Sequence, residues 1–446
     1  MEELVVPTNH THSFTLNAIN KVTTNKTPLN QTTTYNYDRD RRLTDITLPS
    51  GQIIHHNYRD GLLQDTQTPE GLIEYEYQCG NKLTSVREGS ETLSYDYSGV
   101  LLNRIEYSGE LDAVISYDYA PGFELSSMTY AGESSAIKYD KDGLITNIHD
   151  FTIERNPQND LPEYVRDAKL TQERNFNGFA EAEDFNQRVS GGAVVNNSYQ
   201  YNAVGQITEK TEVVNSGSGN VSHRYEYEYD NKYRLTKVYR DDEIVEQYGY
   251  DANGNRTATT SSLLNVSAVA ATYNIADQLL TFGNKVYEYD ANGRLSKVTR
   301  TTDDNAQVVT TYQCDSQGRL LKVVTPAKTI EYKHNALGNR VAKLIDGEIV
   351  EKYLWQNKTT LLAVYDGGNS LKQRFEYTLG HVPTRFTQAG QRYYILTDQV
   401  GSPKIISDAH GGVIKQIDYD AFGNVVSDSN PEFEIPYGFA GEGTNL

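Results

Sequence analysis

The 446-residue chain carries 41 Lys+Arg against 60 Asp+Glu, a net charge of −19, and only 37% hydrophobic residues. This balance argues against a nucleic-acid partner, which needs a basic footprint, and against an anionic membrane surface. Tyr makes up the apolar deficit, with 34 Tyr against 12 Phe and the single Trp355, and aromatic and β-branched side chains suit a pleated, half-buried surface. An all-β fold is therefore expected, and no run of about 18 apolar residues could span a bilayer.

The chain opens on the acidic Met1-Glu2-Glu3, which is no signal peptide. His10 and His12 could share a strand face, whereas His55 and His56 would point opposite ways; without Cys, Asp or Glu partners at ligand spacing, no metal site is expected. From Tyr37 through Tyr58, Tyr77, Tyr97, Tyr119 and Tyr139, a Tyr recurs roughly every 20 residues, a period that marks a repeat architecture. Cys79 and Cys314 read as small apolar fillers at positions where other repeats carry Tyr. Leu170 to Val189 lacks the unit; Phe176, Phe179 and Phe185 have some helical spacing, but Gly178 interrupts it, so irregular hairpins are expected there rather than a helix. Gly191-Gly192 reads as a loop, and Asn215-Ser216-Gly217-Ser218-Gly219-Asn220 as a long hairpin loop.

The repeat is clearest in the second half, as Tyr-x-Tyr-Asp-x-x-Gly-x-(Leu/Ile/Arg). Copies are Tyr229-Asp230 leading to Leu235, Tyr250-Asp251 with Gly254, and Tyr289-Asp290 with Gly293. Looser ones end at Gly318 and Gly338, a late one is Tyr419-Asp420 with Gly423, and Tyr201-Asn202, Tyr273-Asn274 and Trp355-Gln356 are degenerate. Tyr at i and i+2 shares one strand face. Asp ends the strand and bonds backbone N–H groups of a turn, and Gly supplies the positive φ of a type I turn with a bulge. Each unit is thus one β-hairpin, and neighbours must pair because an isolated hairpin is marginal in water. About 40 strands at ~4.8 Å make a ribbon ~190 Å long, about two turns around a ~30 Å lumen.

No catalytic constellation emerges. Asp251-Ala252-Asn253-Gly254-Asn255 resembles the start of a calcium loop but lacks Glu at position twelve, where Ser262 stands, so a turn is expected. Asp241-Asp242-Glu243 and Asp303-Asp304 read as solvated turn charges rather than a glycosidase pair. Gly401-Ser402-Pro403 is a tight turn, not a nucleophile elbow. No catalytic residue, cofactor or metal is expected.

The Tyr-Asp-x-x-Gly units resemble the YD repeats of bacterial RHS proteins and of the related teneurin and toxin-complex shells. Asp398, Gly401, Ser402 and Pro403 match that family's Asp-His-Leu-Gly-Ser-Pro segment, and Asp418 to Val425 with Pro436 to Gly441, including Phe439 and Gly441, resemble its core-associated region. The resemblance implies a spiralling antiparallel ribbon forming a hollow β-shell: a YD-repeat array over 1–370 and a core-associated segment over 371–446. It also implies an exported structural protein that encloses or presents a C-terminal toxin or passenger domain and is handled by a secretion spike or toxin-complex partner. After Gly441 the sequence departs from the family's plug, self-cleavage and passenger segments, so those activities are not implied, and a partial shell is expected. Its two open sheet edges would pair with further sequence or with a second copy. The alternative is a surface glycan-binding or adhesion scaffold, in which rows of Tyr would face solvent.

Overall fold

The computed structural model describes residues 3–215 and 219–443, so Ser216, Gly217 and Ser218 of the expected loop lie outside the described residues. The described residues form one antiparallel sheet of 41 strands, β1 (Glu3–Val5) to β41 (Val425–Asp428), numbered in chain order. Strands bond the strands next to them in sequence, as β22 (Asn220–Tyr229), β23 (Leu235–Arg240) and β24 (Glu243–Tyr250) do. The sheet does not close into a barrel; it is a ribbon that winds past itself. Leu170 to Val189 is an ordinary hairpin, β18 (Leu170–Phe176) and β19 (Ala182–Val189), whose turn is built on Asn177.

The repeat unit is legible atom by atom. The N–H of Asp290 donates to Arg294 O at 2.8 Å, and Asp290 Oδ1 accepts from the N–H groups of Asn292 and Arg294, both at 2.9 Å. Gly293, at φ 80°, takes the left-handed position of the turn, where a side chain would be strained. Register then slips: Glu228 faces Lys237 but Tyr229 faces Leu235, leaving Thr236 as a bulge. The bulge is why a Thr or Ser follows the Leu: Thr236 Oγ1 donates to Glu228 O at 3.1 Å, and Ser296 Oγ to Glu288 O at 3.1 Å. Asp251 bonds Asn255 in the same way, as a turn.

Two side chains join one unit to the next. The repeat Tyr donates its hydroxyl to the carbonyl that opens the preceding return strand: Tyr229 to Ile207 at 2.7 Å, Tyr250 to Leu235 at 2.7 Å, Tyr289 to Leu279 at 2.8 Å. Trp355, in a degenerate unit, does the same with its indole N–H on Arg340 O at 2.7 Å. The Arg after the turn bonds its own Asp and reaches forward, as Arg234 does to Asp251 O at 2.8 Å. Cys314 does take a repeat-Tyr position, partly buried. Cys79 does not: Tyr77 already fills that place at the register slip, two residues upstream, so Cys79 falls in the turn and is exposed.

The winding is read from contacts across the ribbon. Asn253 meets Thr8, 245 residues away, Glu70 Oε1 accepts from the N–H of Ser316 at 2.9 Å across 246 residues, and Arg319 pairs with Glu88 at 2.6 Å. The YD turns of the second winding thus sit on the opposite hairpin tips of the first. By Glu246 and Ala421 the offset has fallen to 175 residues, so the spiral tightens and its end slides over the first winding. There Phe151, Ile153, Leu170 and Val195 of the first winding pack against Tyr394, Leu396 and Ile405. The face they cover is the one carrying Tyr199 and Tyr201, and we call it the inner face. The other side of the same late strands, Phe375, Phe386, Ile395 and Ile406, packs under Ile435 and Tyr437 of the C-terminal tail.

The closed C-terminal end as candidate functional site

The late strands are buried on both sides, which removes the in–out alternation of the earlier wall. β36 (Leu371–Glu376) and β39 (Pro403–Asp408) carry unbroken buried runs, Gln373–Glu376 and Pro403–Ser407, whereas β28 (Lys285–Tyr289) has no buried residue. Charged side chains caught in this layer need partners, and the late strands and the first winding together supply them. Arg385 is 2% exposed; its Nε donates to Glu376 at 2.6 Å and its Nη1 to Asp167 at 2.8 Å, and the Tyr394 hydroxyl donates to the same Asp167 oxygen at 2.7 Å. Lys404 lies between Asp418 at 2.8 Å and Glu212 at 3.2 Å. Burial opposes ionisation of Glu376, yet Arg385, His149 and Arg374 around it hold its carboxyl below the ordinary range. Burial pushes His149 down to about 4 despite the nearby Glu376.

The segments that resemble the family's core motifs come together here. Asp398 Oδ1 accepts from the N–H groups of Val400 at 3.1 Å and Ser402 at 2.8 Å, so Asp398 builds a YD-type turn, and burial raises its pKa. Gly401 has φ 93°, and a Cβ there would lie 2.9 Å from the His381 ring and from Val382. Ser402 Oγ accepts from Ala440 N–H at 3.0 Å, His381 Nε2 bonds Ala440 O at 2.9 Å, and Pro403 opens the next strand. Phe439 packs edge-on against Tyr419, with ring centroids 5.8 Å apart, and occupies the space a side chain at Gly423 would need. Gly441 sits against the same His381 and Val382. Tyr437 meets the Tyr377 hydroxyl at 2.6 Å. Beneath the tail lies a cavity of about 830 Å³ lined by Arg340, Lys343, Glu351, Tyr353, Lys372 and Glu434 among others.

The remaining candidates stay apart. His55 bonds Asp45 and Asn57 while His56 bonds Thr66; Asp241 binds His223 and the Arg224 N–H; Asp304 caps a turn through Thr302. Among the described residues no group of three or more His, Cys, Asp or Glu could hold a metal ion, and no helix is long and apolar enough to cross a membrane. Sequence reasoning misses Arg374, Arg385 and Lys404, which no local signal separates from solvated strand charges.

A model of the Teneurin YD-shell family matches residues 1–444. The chain belongs to this family. Teneurin-3 of Danio rerio is 24% identical over 92% of the chain, and teneurin-3 of Mus musculus 26% over 78%. The chain spans only 16% and 13% of those proteins. The tRNA3(Ser)-specific nuclease WapA of Bacillus spizizenii is 28% identical over 43% of the chain, which covers 8% of that protein. Among solved structures, the Photorhabdus luminescens Tc holotoxin pore and TcdB2-TccC3 superpose with TM-scores of 0.67 at 12% identity, over 97% of this chain and 26% and 27% of theirs. At that identity they share the fold. The YD-shell family is a structural scaffold, and the fold agrees with that role.

Proposed function

We propose that this chain is a wall segment of a shell that encloses or presents a polypeptide passenger, with 371–446 as its closing module. The observation that carries the reading is the split between faces. The repeat Tyr pairs, such as Tyr75 and Tyr77 or Tyr287 and Tyr289, line the inner face with aliphatic neighbours. The outer face holds cross-strand ion pairs, Lys237 with Glu228 and Lys297 with Glu288, each at 2.8 Å. A Tyr-rich, hydroxyl-dotted wall with isolated charges such as Lys210, Glu212 and Arg174 suits an unfolded or loosely folded chain of many sequences, because most of its burial demands no fixed charge pattern. Tyr rows on the inner face favour the container over the glycan-binding alternative. The passenger would be a C-terminal toxin or similar domain, exported with its shell through a delivery partner. The Asp398–Pro403 and Phe439–Gly441 contacts would pin the closing module.

The test is limited proteolysis of the complete polypeptide that contains this chain, comparing the attached passenger with the same passenger expressed alone. Protection of the attached passenger, lost when Tyr437→Ala loosens the tail, is the expected result. Equal cleavage in both settings would refute enclosure, and hits on a glycan array would favour the surface-binding reading.

A further inference from the structure

Among the described cations of the closed end, the buried ones find polar partners and a part-buried one, Arg174, does not. Arg319, Arg374, Arg385, Lys404 and Lys415 each meet at least one carboxylate, and Lys352 donates to Asn369 at 2.7 Å. Arg174 meets neither. It stands on the inner face of β18 in Arg174-Asn175-Phe176, where the repeat has Tyr-x-Tyr, and its guanidinium lies 4.2 Å from the centroid of the Phe185 ring. Among the described residues that ring is its only partner, and burial alone pulls its pKa down, to about 10. A guanidinium fixed on an aromatic face keeps its five N–H donors in a rigid fork.

The fork borders a small pocket of about 90 Å³ between β18, β19 and the turns at Thr378–Thr384 and Asp398–Gly401. Its other polar linings are already engaged. Gln172 donates to Gln187 at 3.1 Å, Thr378 bonds Thr384 at 2.7 Å, and Gln399 accepts from Tyr199 at 2.6 Å. His381 holds Ala440 O, and Asp398 holds the amides of its own turn. Arg174 is thus a lining cation with no carboxylate at ion-pair distance among the described residues, in a space large enough for a single oxyanion group.

We propose that Arg174 anchors a carboxylate-binding pocket, its fork taking both oxygens of one carboxylate brought from outside the chain. A monoanion fits better than phosphate, because the Asp398 carboxyl lines the same pocket and would repel a second charge. The proposal stands independently of what the shell encloses.

The test follows the arginine side-chain N–H resonances of the ¹⁵N-labelled protein during titration with sodium acetate, with chloride and inorganic phosphate as parallel arms at matched ionic strength. One arginine signal should move saturably with acetate; it should be absent in Arg174→Gln, and Arg174→Lys should bind acetate about tenfold more weakly, having charge without the bidentate fork. If Arg174→Gln does not fold, the Arg174→Lys comparison decides alone. An unmoved Arg174 signal, an equal response to chloride, or tighter binding of phosphate would overturn the proposal.

Discussion

The wall between β22 and β28 and the closed end around β36 to β39 are built from the same hairpin by different means. In the wall, order is local. An Asx-type turn, a bulge capped by Thr or Ser and a Tyr hydroxyl on the neighbouring unit satisfy the backbone, while most side chains remain part-exposed. In the closed end, both faces are covered, alternation disappears, and cohesion comes from pairs such as Arg385–Asp167, which lie 218 residues apart. The wall can therefore be extended unit by unit. The closed end requires the spiral to have formed.

Breaking this contrast calls first for Arg385. Arg385→Met removes the positive charge between Asp167 and Glu376 and should cost about 3–5 kcal/mol, because Asp167 loses its buried counter-charge and Glu376 is left with Arg374 as its salt-bridge partner. Its wall counterpart Arg42→Met, whose guanidinium lies at the surface beside Asp38 and Asp40, should shift the urea midpoint far less, because solvent screens that pair. Urea midpoints measure both, and equal losses would erase the distinction.

His149 sharpens the comparison through pH. Its folded pKa of about 4 lies below the ordinary value, so between about pH 6.5 and 4 the unfolded chain takes the proton first and stability falls as pH falls. The loss should approach about 3 kcal/mol near pH 4, since each tenfold difference in proton affinity between the two states is worth about 1.4 kcal/mol. His149→Asn should flatten that slope between about pH 7 and 4.5; an unchanged slope would mean that this histidine is solvated in the folded protein.

Much of the wall can be read in the sequence because each unit writes its own structure. Tyr289, Asp290 and Gly293 specify strand end, turn and left-handed residue within five positions, and nothing distant competes. The all-β class and the number of strands follow from that alone. The frame of one degenerate unit is harder: Cys79 follows Tyr77 so closely that either could be taken for the repeat position until the bulge fixes it. The closed end is less legible. Asp398, Gly401 and Ser402 are visible as a turn, but that Ser402 receives Ala440 depends on a fold-back across 38 residues. Arg374, Arg385 and Lys404 look like solvated strand charges: Glu376 and Asp418 are near them in sequence, but Asp167 and Glu212, and the layer that buries all three, arrive only after most of a full winding.

Tyr-to-Phe exchange separates the regions on a smaller scale. Tyr377→Phe removes a hydroxyl bonded to Leu361 O at 2.7 Å and to the buried Tyr437, leaving that phenol short of a partner at a cost of roughly 1–3 kcal/mol. Tyr250→Phe frees one carbonyl in a part-exposed wall and should cost about 0.5–1.5 kcal/mol. Thermal unfolding of the two variants ranks them; the reverse order would show that the repeat hydroxyls hold the ribbon more firmly than its closure does.

The smallest expected effect carries the opposite sign to that of His149. In the wall, His55 Nδ1 lies 2.6 Å from Asp45 Oδ1 and Nε2 lies 2.9 Å from Asn57. The Asp45 hydrogen bond raises the His55 pKa, against a small opposing effect of burial. A raised pKa means the folded protein holds the proton longer, so this pair stabilises fully below about pH 6.5 and the contribution fades as pH rises through the folded value. Because the His55 side chain is 42% exposed, solvent screening limits the gain to a fraction of a kcal/mol. His55→Gln should therefore lower the urea midpoint slightly at about pH 5.5 and leave it unchanged at about pH 9. A loss that persists at the higher pH would assign the pair a packing role. The two histidines, one paired in the open and one buried without a bonded acid, then titrate the wall and the closed end in opposite directions within a single chain.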